Sequence, residues 1–450
     1  MLSYQAEANI QEDTADMTDS AFRVYGGQPL QGEIHVQRAK NAILAMIAAA
    51  IVVEEGETVL RQVPDIEDVD CAFELLRMVG AHVDYDRQSK TARIDASEVD
   101  NGVLPADITE RFRGSVLFLA PLQIRLGYVE LPGSGGCDIG TRKIDFHHRG
   151  FARLGAQVHY YDDGRTIAEL AGRRFRGSQL YLDWPSHTGT ENLMLAAALA
   201  EGQTILENAS VEPEVVDFGN FLNAMGADIR GLGTHTLFIN GVERLRATDY
   251  TPVPDRLVTG TFMMAAAITG GDVTVQGVEP AHLRIVCAKL EQMGVHIDIH
   301  GRAIRVRGRR ERLNPINIQT YPYPGFPTDL QPCVAALSCL SDGTSYIRER
   351  VFDNRYDYAD ALLQMGADIL ISQGGACIIQ GVERLRPARL TAHNIRAGAT
   401  ILLAALATEG ESTIRNVYQI DRGYEGIEDL LSQLGANITR ITAQSELQLA

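Results

Sequence analysis

The sequence predicts an α/β protein in two halves, each assembled from three related units, and three observations predict it. One phrase returns along the chain as LLRMVGAHVD, FARLGAQVHY, FLNAMGADIR, LEQMGVHIDI, LLQMGADILI and LLSQLGANIT, its glycine falling at Gly80, Gly155, Gly226, Gly294, Gly366 and Gly435. The spacing sets a period of about 71 residues, too long for a simple solenoid. A second phrase recurs in five units, as EEGETVLRQV, AEGQTILENA, TGGDVTVQGV, SDGTSYIRERV and TEGESTIRNV. The third observation is INGVERLR and IQGVERLR two periods apart, the first followed by the proline-containing ATDYTPVPDR, which is the best crossover between halves.

Each element of the unit has a local cause. The first phrase reads as the end of an amphipathic helix, a glycine where a left-handed backbone costs little, and an alternating strand such as AHVDYD or ADILIS. Around the second phrase a small-residue helix (AMIAAAIV, LAAALA, MMAAAI, LLAALA) gives way to a β-rich run. The unit is therefore strand, helix, strand, helix, strand. About 70 residues bury only a modest core alone, so the units must pack around shared centres.

Composition narrows the function classes. The 450 residues are 45% hydrophobic and 22% charged, with no apolar run long enough to span a membrane. The first 21 residues are acidic and polar, unlike a secretory signal, and are expected to be a disordered tail of a cytoplasmic protein. A net charge of −17 disfavours nucleic acid and anionic membrane as partners, so the basic residues that hold an anionic ligand must be locally concentrated. Six cysteines without a C-x-x-C pair fit reduced thiols, and neither they nor the histidines carry metal-ligand spacing.

The second unit departs from its siblings at LPGSGGCDIGTRKID, residues 131–145. Glycines at 133, 135, 136 and 140 let the backbone approach a ligand or swing as a lid. The helix pattern resumes near Lys143, which puts Arg142 and neighbouring N–H groups at a helix N-terminus, a natural anion site. Cys137 would feel that positive charge, which favours its thiolate. Cys71, Cys287, Cys333, Cys339 and Cys377 lie in helix or strand patterns and read as buried. Lys40 and Asn41 stand just before an apolar helix, Asp329 follows two prolines at a helix start, and Arg355, Arg396 and Arg422 lie in loops. Together these form cations, one carboxylate and one thiol suited to an anionic, phosphorylated substrate in a cleft between two domains.

The segments GGQPLQGEIHV, AKNA, GGCDIGTRKIDFH, FPTDLQ, VFDNRYDY, IRAGA and IDRGYEGIEDLL, in order from about residue 22 to 440, resemble the UDP-N-acetylglucosamine enolpyruvyl transferase (1-carboxyvinyltransferase) family. The resemblance implies a two-domain inside-out α/β barrel of six βαβαββ repeats, three per domain, with one domain at 40–247 and the other at 22–39 plus 248–450. It implies transfer of the enolpyruvyl group of phosphoenolpyruvate to the 3-hydroxyl of UDP-N-acetylglucosamine by addition and elimination, releasing phosphate without metal or cofactor. That is the first committed step of peptidoglycan synthesis and the reaction fosfomycin blocks. Cys137 matches the family's proton donor, and Asp329 its general base. Lys40, Arg113, Gly136, Arg142, Arg396 and Arg422 match the phosphoenolpyruvate site. Asn41, Arg142, Lys143, Ile144, Asp145, Phe146, Trp184, Ser186, His187, Thr188, Asp329, Val351 and Arg355 match the acceptor site.

This chain also departs from the family's pattern. Arg38 stands where the family has glycine, the cysteine loop is two residues longer, Arg-Pro becomes Arg142 and Lys143, and Ser-Val-Gly-Ala-Thr becomes Ser186, His187, Thr188, Gly189, Thr190. Two of these changes fall where the family contacts the diphosphate and uracil, so an alternative is a paralogue acting on another nucleotide or nucleotide sugar, for instance in nucleoside-antibiotic biosynthesis. Trp184, the only tryptophan, could stack on a base there. A binding protein without turnover would not need both a proton donor and a base.

Overall fold

The computed structural model describes residues 20–133, 135, 144–309, 311–353, 355–372 and 374–442. The expected tail through residue 19, and Gly136, Cys137, Arg142 and Lys143 of the glycine loop, lie outside the described residues. The first strand, Ala21–Gly26, begins one residue inside that expected tail.

At all six repeat glycines the backbone has positive φ, from 88° at Gly366 to 106° at Gly226. An L side chain is strained in this conformation, whereas glycine ends the helix and releases the strand. Gly226 follows the helix Pro213–Ala224, and a Cβ there would meet nothing within 4 Å. Gly226→Ala therefore isolates the backbone cost, expected at about 1–2 kcal/mol of unfolding free energy in denaturant titration. An unmoved midpoint would show that φ relaxes freely.

Among the described residues the strands form six sheets. In five of them an edge strand pairs in parallel with its neighbour and the other pairs are antiparallel; Asp249–Tyr250 beside Glu57–Arg61, then Thr91–Asp95 and His82–Asp86, is one instance. The sixth has three antiparallel strands, Tyr128–Leu131, Thr166–Glu169 and Gln157–Tyr160, and a single parallel bridge from Val103 to Glu130 where the others have an edge strand. The glycine loop leaves from this sheet.

Apolar side chains collect into two cores. One draws on residues from Ala39 to Leu245. The other runs from Leu257 to Ile438 and also takes Phe22, Val24, Leu30 and Ile34. The chain's first strands thus belong with its last: Ala21–Gly26 lies between Gly410–Arg415 and Asn437–Ile441, antiparallel to both, and Gln31–His35 pairs in parallel with Asp272–Gln276. Helices Lys40–Ala49 and His187–Ala198 in the first core, and Arg256–Ile268, Gln331–Cys339 and Ile395–Ala407 in the second, are buried on nearly every side. Their small and aliphatic residues on all faces are what a central helix requires. Cys71, Cys287, Cys333, Cys339 and Cys377 are buried and unbridged. Among the described residues, no helix is long and apolar enough to cross a membrane.

Candidate active site

Four central helices open onto one place. Lys40, His187 and Arg256 are the first residues of their helices, Arg396 is the second of Ile395–Ala407, and all four line a cavity of about 760 Å³ between the two cores. None of these helices has an acidic residue in its first turn. A helix N-terminus carries partial positive charge, so a cation there is disfavoured by several tenths of a kcal/mol, roughly. Counter-charge must come from elsewhere in the chain.

Asp68 supplies it in one corner. It is 4% exposed, its Oδ2 accepts from Lys40 Nζ at 2.7 Å, and its Oδ1 accepts from Arg422 Nε at 3.0 Å. Burial opposes its charge, but Lys40 and Arg422 hold its pKa below the ordinary value. Asp255 caps the helix Arg256–Ile268 through the N–H groups of Leu257 and Val258, and also accepts from the Lys40 N–H at 3.2 Å. One carboxylate thereby joins helix starts from both cores.

Across the cavity, Asp329 is gripped twice. Arg355 Nη1 lies 2.8 Å from one oxygen and Arg396 Nε donates to the other at 3.1 Å. Burial works against its charge, and Arg355 and then Arg396 overcome it, keeping the carboxyl far below the usual range. Arg396 also donates to the Tyr424 hydroxyl at 2.8 Å, while Asn394 caps its helix by accepting from the N–H groups of Arg396 and Ala397. Arg396 and Arg355 are about 5% exposed. Buried guanidinium groups fixed by side-chain bonds are preorganised for an anion that replaces a carboxylate partner.

The family model described as EPSP synthase (3-phosphoshikimate 1-carboxyvinyltransferase) matches residues 24–431. The UDP-N-acetylglucosamine 1-carboxyvinyltransferase of Thermobifida fusca is 47% identical over 93% of this chain and 98% of its own length. The chain belongs to the UDP-N-acetylglucosamine 1-carboxyvinyltransferase family. A second such relative, from Symbiobacterium thermophilum, is 45% identical over 93% of this chain and 95% of its own. Among solved structures, the enolpyruvyl transferase NikO from Streptomyces tendae superposes with a TM-score of 0.85 at 27% identity, covering 94% of this chain and 99% of that one. EPSP synthase from Acinetobacter baumannii shares the fold, with a TM-score of 0.72 at 20% identity over 94% of this chain and all of that one.

In this 1-carboxyvinyltransferase chain the cavity gathers most residues singled out in the sequence: Lys40, Asn41, Arg113, Asp145, Phe146, Trp184, Ser186, His187, Thr188, Asp329, Val351, Arg355, Arg396 and Arg422. Among the described residues, Ile144 is the exception. It is 7% exposed and packs into the first core, because the helix Asp145–Arg153 turns its apolar side inward just after it. The local setting differs from expectation at three places. Lys40 and Asn41 begin their helix rather than precede it, and the helix expected near Lys143 starts at Asp145. Arg396, expected in a loop, lies in the first turn of the helix Ile395–Ala407 that Asn394 caps. Asp329 sits in the short turn Thr328–Leu330 that leads into the helix Gln331–Cys339.

The wall of the cavity from Phe146 to Trp184 and Thr188 is ordered by local bonds. Ser186 caps the helix His187–Ala198 by accepting from Gly189 N–H at 3.2 Å, and its own N–H donates to the Trp184 carbonyl at 2.7 Å. Trp184 is 38% exposed. Arg149 lies 5.3 Å from the centre of the Phe146 ring and pairs with Asp183 at 2.7 Å. His147 is buried with its Nδ1 3.1 Å from Asn192 Nδ2 and its Nε2 3.3 Å from Thr188 Oγ1. Burial, with Arg113 and His148 adding to it, pushes the His147 pKa down to about 3, so this ring is neutral.

Sequence reasoning missed Asp68, Glu191, Glu212 and Arg256, all on the cavity. Asp68 reads as an ordinary first-turn acid of the helix Glu67–Met78. Arg256 offered a signal, because it closes the proline segment that marks the crossover.

Proposed function

We propose that this chain transfers the enolpyruvyl group of phosphoenolpyruvate to the 3-hydroxyl of UDP-N-acetylglucosamine and releases phosphate. One observation carries the reading: two carboxylate-held groups of cations, Lys40–Asp68–Arg422 and Arg355–Asp329–Arg396, face one cavity of about 760 Å³ between the cores. A substrate bearing a phosphate and a carboxylate needs cations at two places, and an acceptor hydroxyl needs a carboxylate beside them.

In this reading Lys40, Arg113, Arg396 and Arg422 hold phosphoenolpyruvate, joined by Arg142 and Gly136 of the glycine loop. Asp329 takes the proton of the acceptor hydroxyl as it attacks the enol carbon, and Cys137 protonates the methylene carbon. The resulting tetrahedral adduct is anionic, and the surrounding cations stabilise it until a methyl proton returns to the thiolate and the C–O bond to phosphate breaks, which restores the vinyl group. Asn41, Phe146, Ser186 and Thr188 line the acceptor's path with Val351 and Arg355. The two cores and six sheets support an inside-out α/β barrel of six βαβαββ repeats, with domains at 40–247 and at 22–39 plus 248–450.

A second reading, another nucleotide as acceptor, draws on Trp184 and on His187–Thr188 in the cavity wall. Phosphate release from phosphoenolpyruvate, measured with UDP-N-acetylglucosamine and then with a panel of uridine nucleotides, separates the two. We expect release with UDP-N-acetylglucosamine. Release only with another nucleotide would overturn the first reading in favour of the second.

A further inference from the structure

Tyr424 is a phenol enclosed in the second core, two residues beyond Arg422. It is 2% exposed, and its hydroxyl accepts from Arg396 Nη1 at 2.8 Å. On its other side the hydroxyl lies 2.9 Å from Thr261 Oγ1, in the buried helix Arg256–Ile268. Thr261 Oγ1 in turn donates to the Leu257 carbonyl at 3.0 Å, one turn back. A guanidinium has donors and no acceptor, so the phenol hydrogen cannot go to Arg396. It goes to Thr261, whose own hydrogen goes to Leu257. The direction of each hydrogen bond is thereby set, and Tyr424 shows Arg396 only lone pairs.

Arg396 uses its two edges separately. Nε and Nη2 both face Asp329 Oδ2 at 3.1 Å, and Nη1 faces Tyr424. A substrate anion that displaces Asp329 from the first edge leaves Tyr424 holding the guanidinium. The segment carrying the phenol is itself pinned to the first core on either side. Arg422 bonds to Asp68 at 3.0 Å, while Glu425 pairs with Lys90 at 2.7 Å and accepts from the Asp65 N–H at 3.3 Å. Burial pushes the Tyr424 pKa up to about 12, against the pull of Arg396, so the phenol keeps its proton at neutral pH.

We propose that Tyr424 is a positioning residue for phosphoenolpyruvate: its hydroxyl, oriented by Thr261, holds Arg396 where that guanidinium meets the substrate anion once Asp329 gives way. The inference rests on the reading that Arg396 holds phosphoenolpyruvate.

The test compares Tyr424→Phe, Thr261→Val and Thr261→Ser with the wild-type chain. Tyr424→Phe keeps a ring 5.3 Å from the guanidinium carbon and leaves Thr261 bonded to Leu257, so the loss falls on Arg396 Nη1. For phosphoenolpyruvate we expect kcat/KM to fall and Kd to rise, each roughly tenfold, the loss of one hydrogen bond to a charged group. The KM for UDP-N-acetylglucosamine should hold. Thr261→Val, which removes the acceptor that orients the phenol, should move phosphoenolpyruvate the same way, and it decides the matter if Tyr424→Phe does not fold. Thr261→Ser, which restores that acceptor, should match the wild type. A hydroxyl with a structural role alone would lower the unfolding midpoint and leave the Kd of the folded chain unmoved. Because Kd is read by calorimetry, apart from turnover, absence of phosphate release with UDP-N-acetylglucosamine would count against the proposed reaction and not against Tyr424. No phosphoenolpyruvate binding by the wild type, an unchanged Kd in a folded Tyr424→Phe chain, or equal weakening of both substrates would each overturn the inference.

Discussion

Asp329→Asn is expected to lower kcat by roughly 10²- to 10⁴-fold, the usual loss when a positioned general base is removed. Asparagine keeps the shape and an oxygen for Arg355, but it cannot accept the proton of the attacking hydroxyl. The carboxylate is a weak base while Arg355 and Arg396 hold it, 2.8 and 3.1 Å away. A substrate anion that takes over Arg396 would weaken that grip, so basicity rises only when the cavity is filled. The same reasoning predicts that the KM for phosphoenolpyruvate does not rise in the variant, since the two arginines lose an internal competitor. A kcat within threefold of wild type would remove Asp329 from the proton transfer.

Asp68→Ala should cost about 3–5 kcal/mol of stability, the range for removing one partner of a buried ion pair. Two cations, Lys40 at 9% and Arg422 at 7% exposure, lose the carboxylate that both use. Asp68 is held below its ordinary pKa, so its contribution is complete at neutral pH and is lost only as the pH falls through that lowered value. Inorganic phosphate should recover part of the loss, because it binds the folded cations in place of the carboxylate. Denaturant unfolding with and without phosphate checks both statements. A change below about 1 kcal/mol would mean that water compensates the two cations.

The two carboxylates mark where the sequence was readable. The six repeat glycines could be found because each does the same local job, ending a helix through a positive φ, and local rules are written in neighbouring residues. Asp329 stood out by its prolines and by resemblance. Asp68 could not, since its partners lie 28 residues away at Lys40 and 354 away at Arg422, and its own surroundings look like any acidic helix start. Glu191 was hidden for a related reason: a glutamate one turn into a helix is ordinary until the fold buries it. Ile144 lies in the first core while its neighbours Asp145 and Phe146 line the cavity, a difference that a family segment carried over whole does not show.

The pairing of Ala21–Gly26 between Gly410–Arg415 and Asn437–Ile441 has a consequence for biosynthesis. A ribosome adding about 5–20 residues per second delivers this strand roughly 20–80 s before its neighbours exist. During that interval AFRVYG is a β-prone ribbon with both edges open, while the residues that form the first core have already emerged and can condense. The second half closes last, on a contact spanning nearly the whole polypeptide. A nascent chain stalled between the halves would therefore display a finished first lobe trailing an unsatisfied strand, the species on which a chaperone would act.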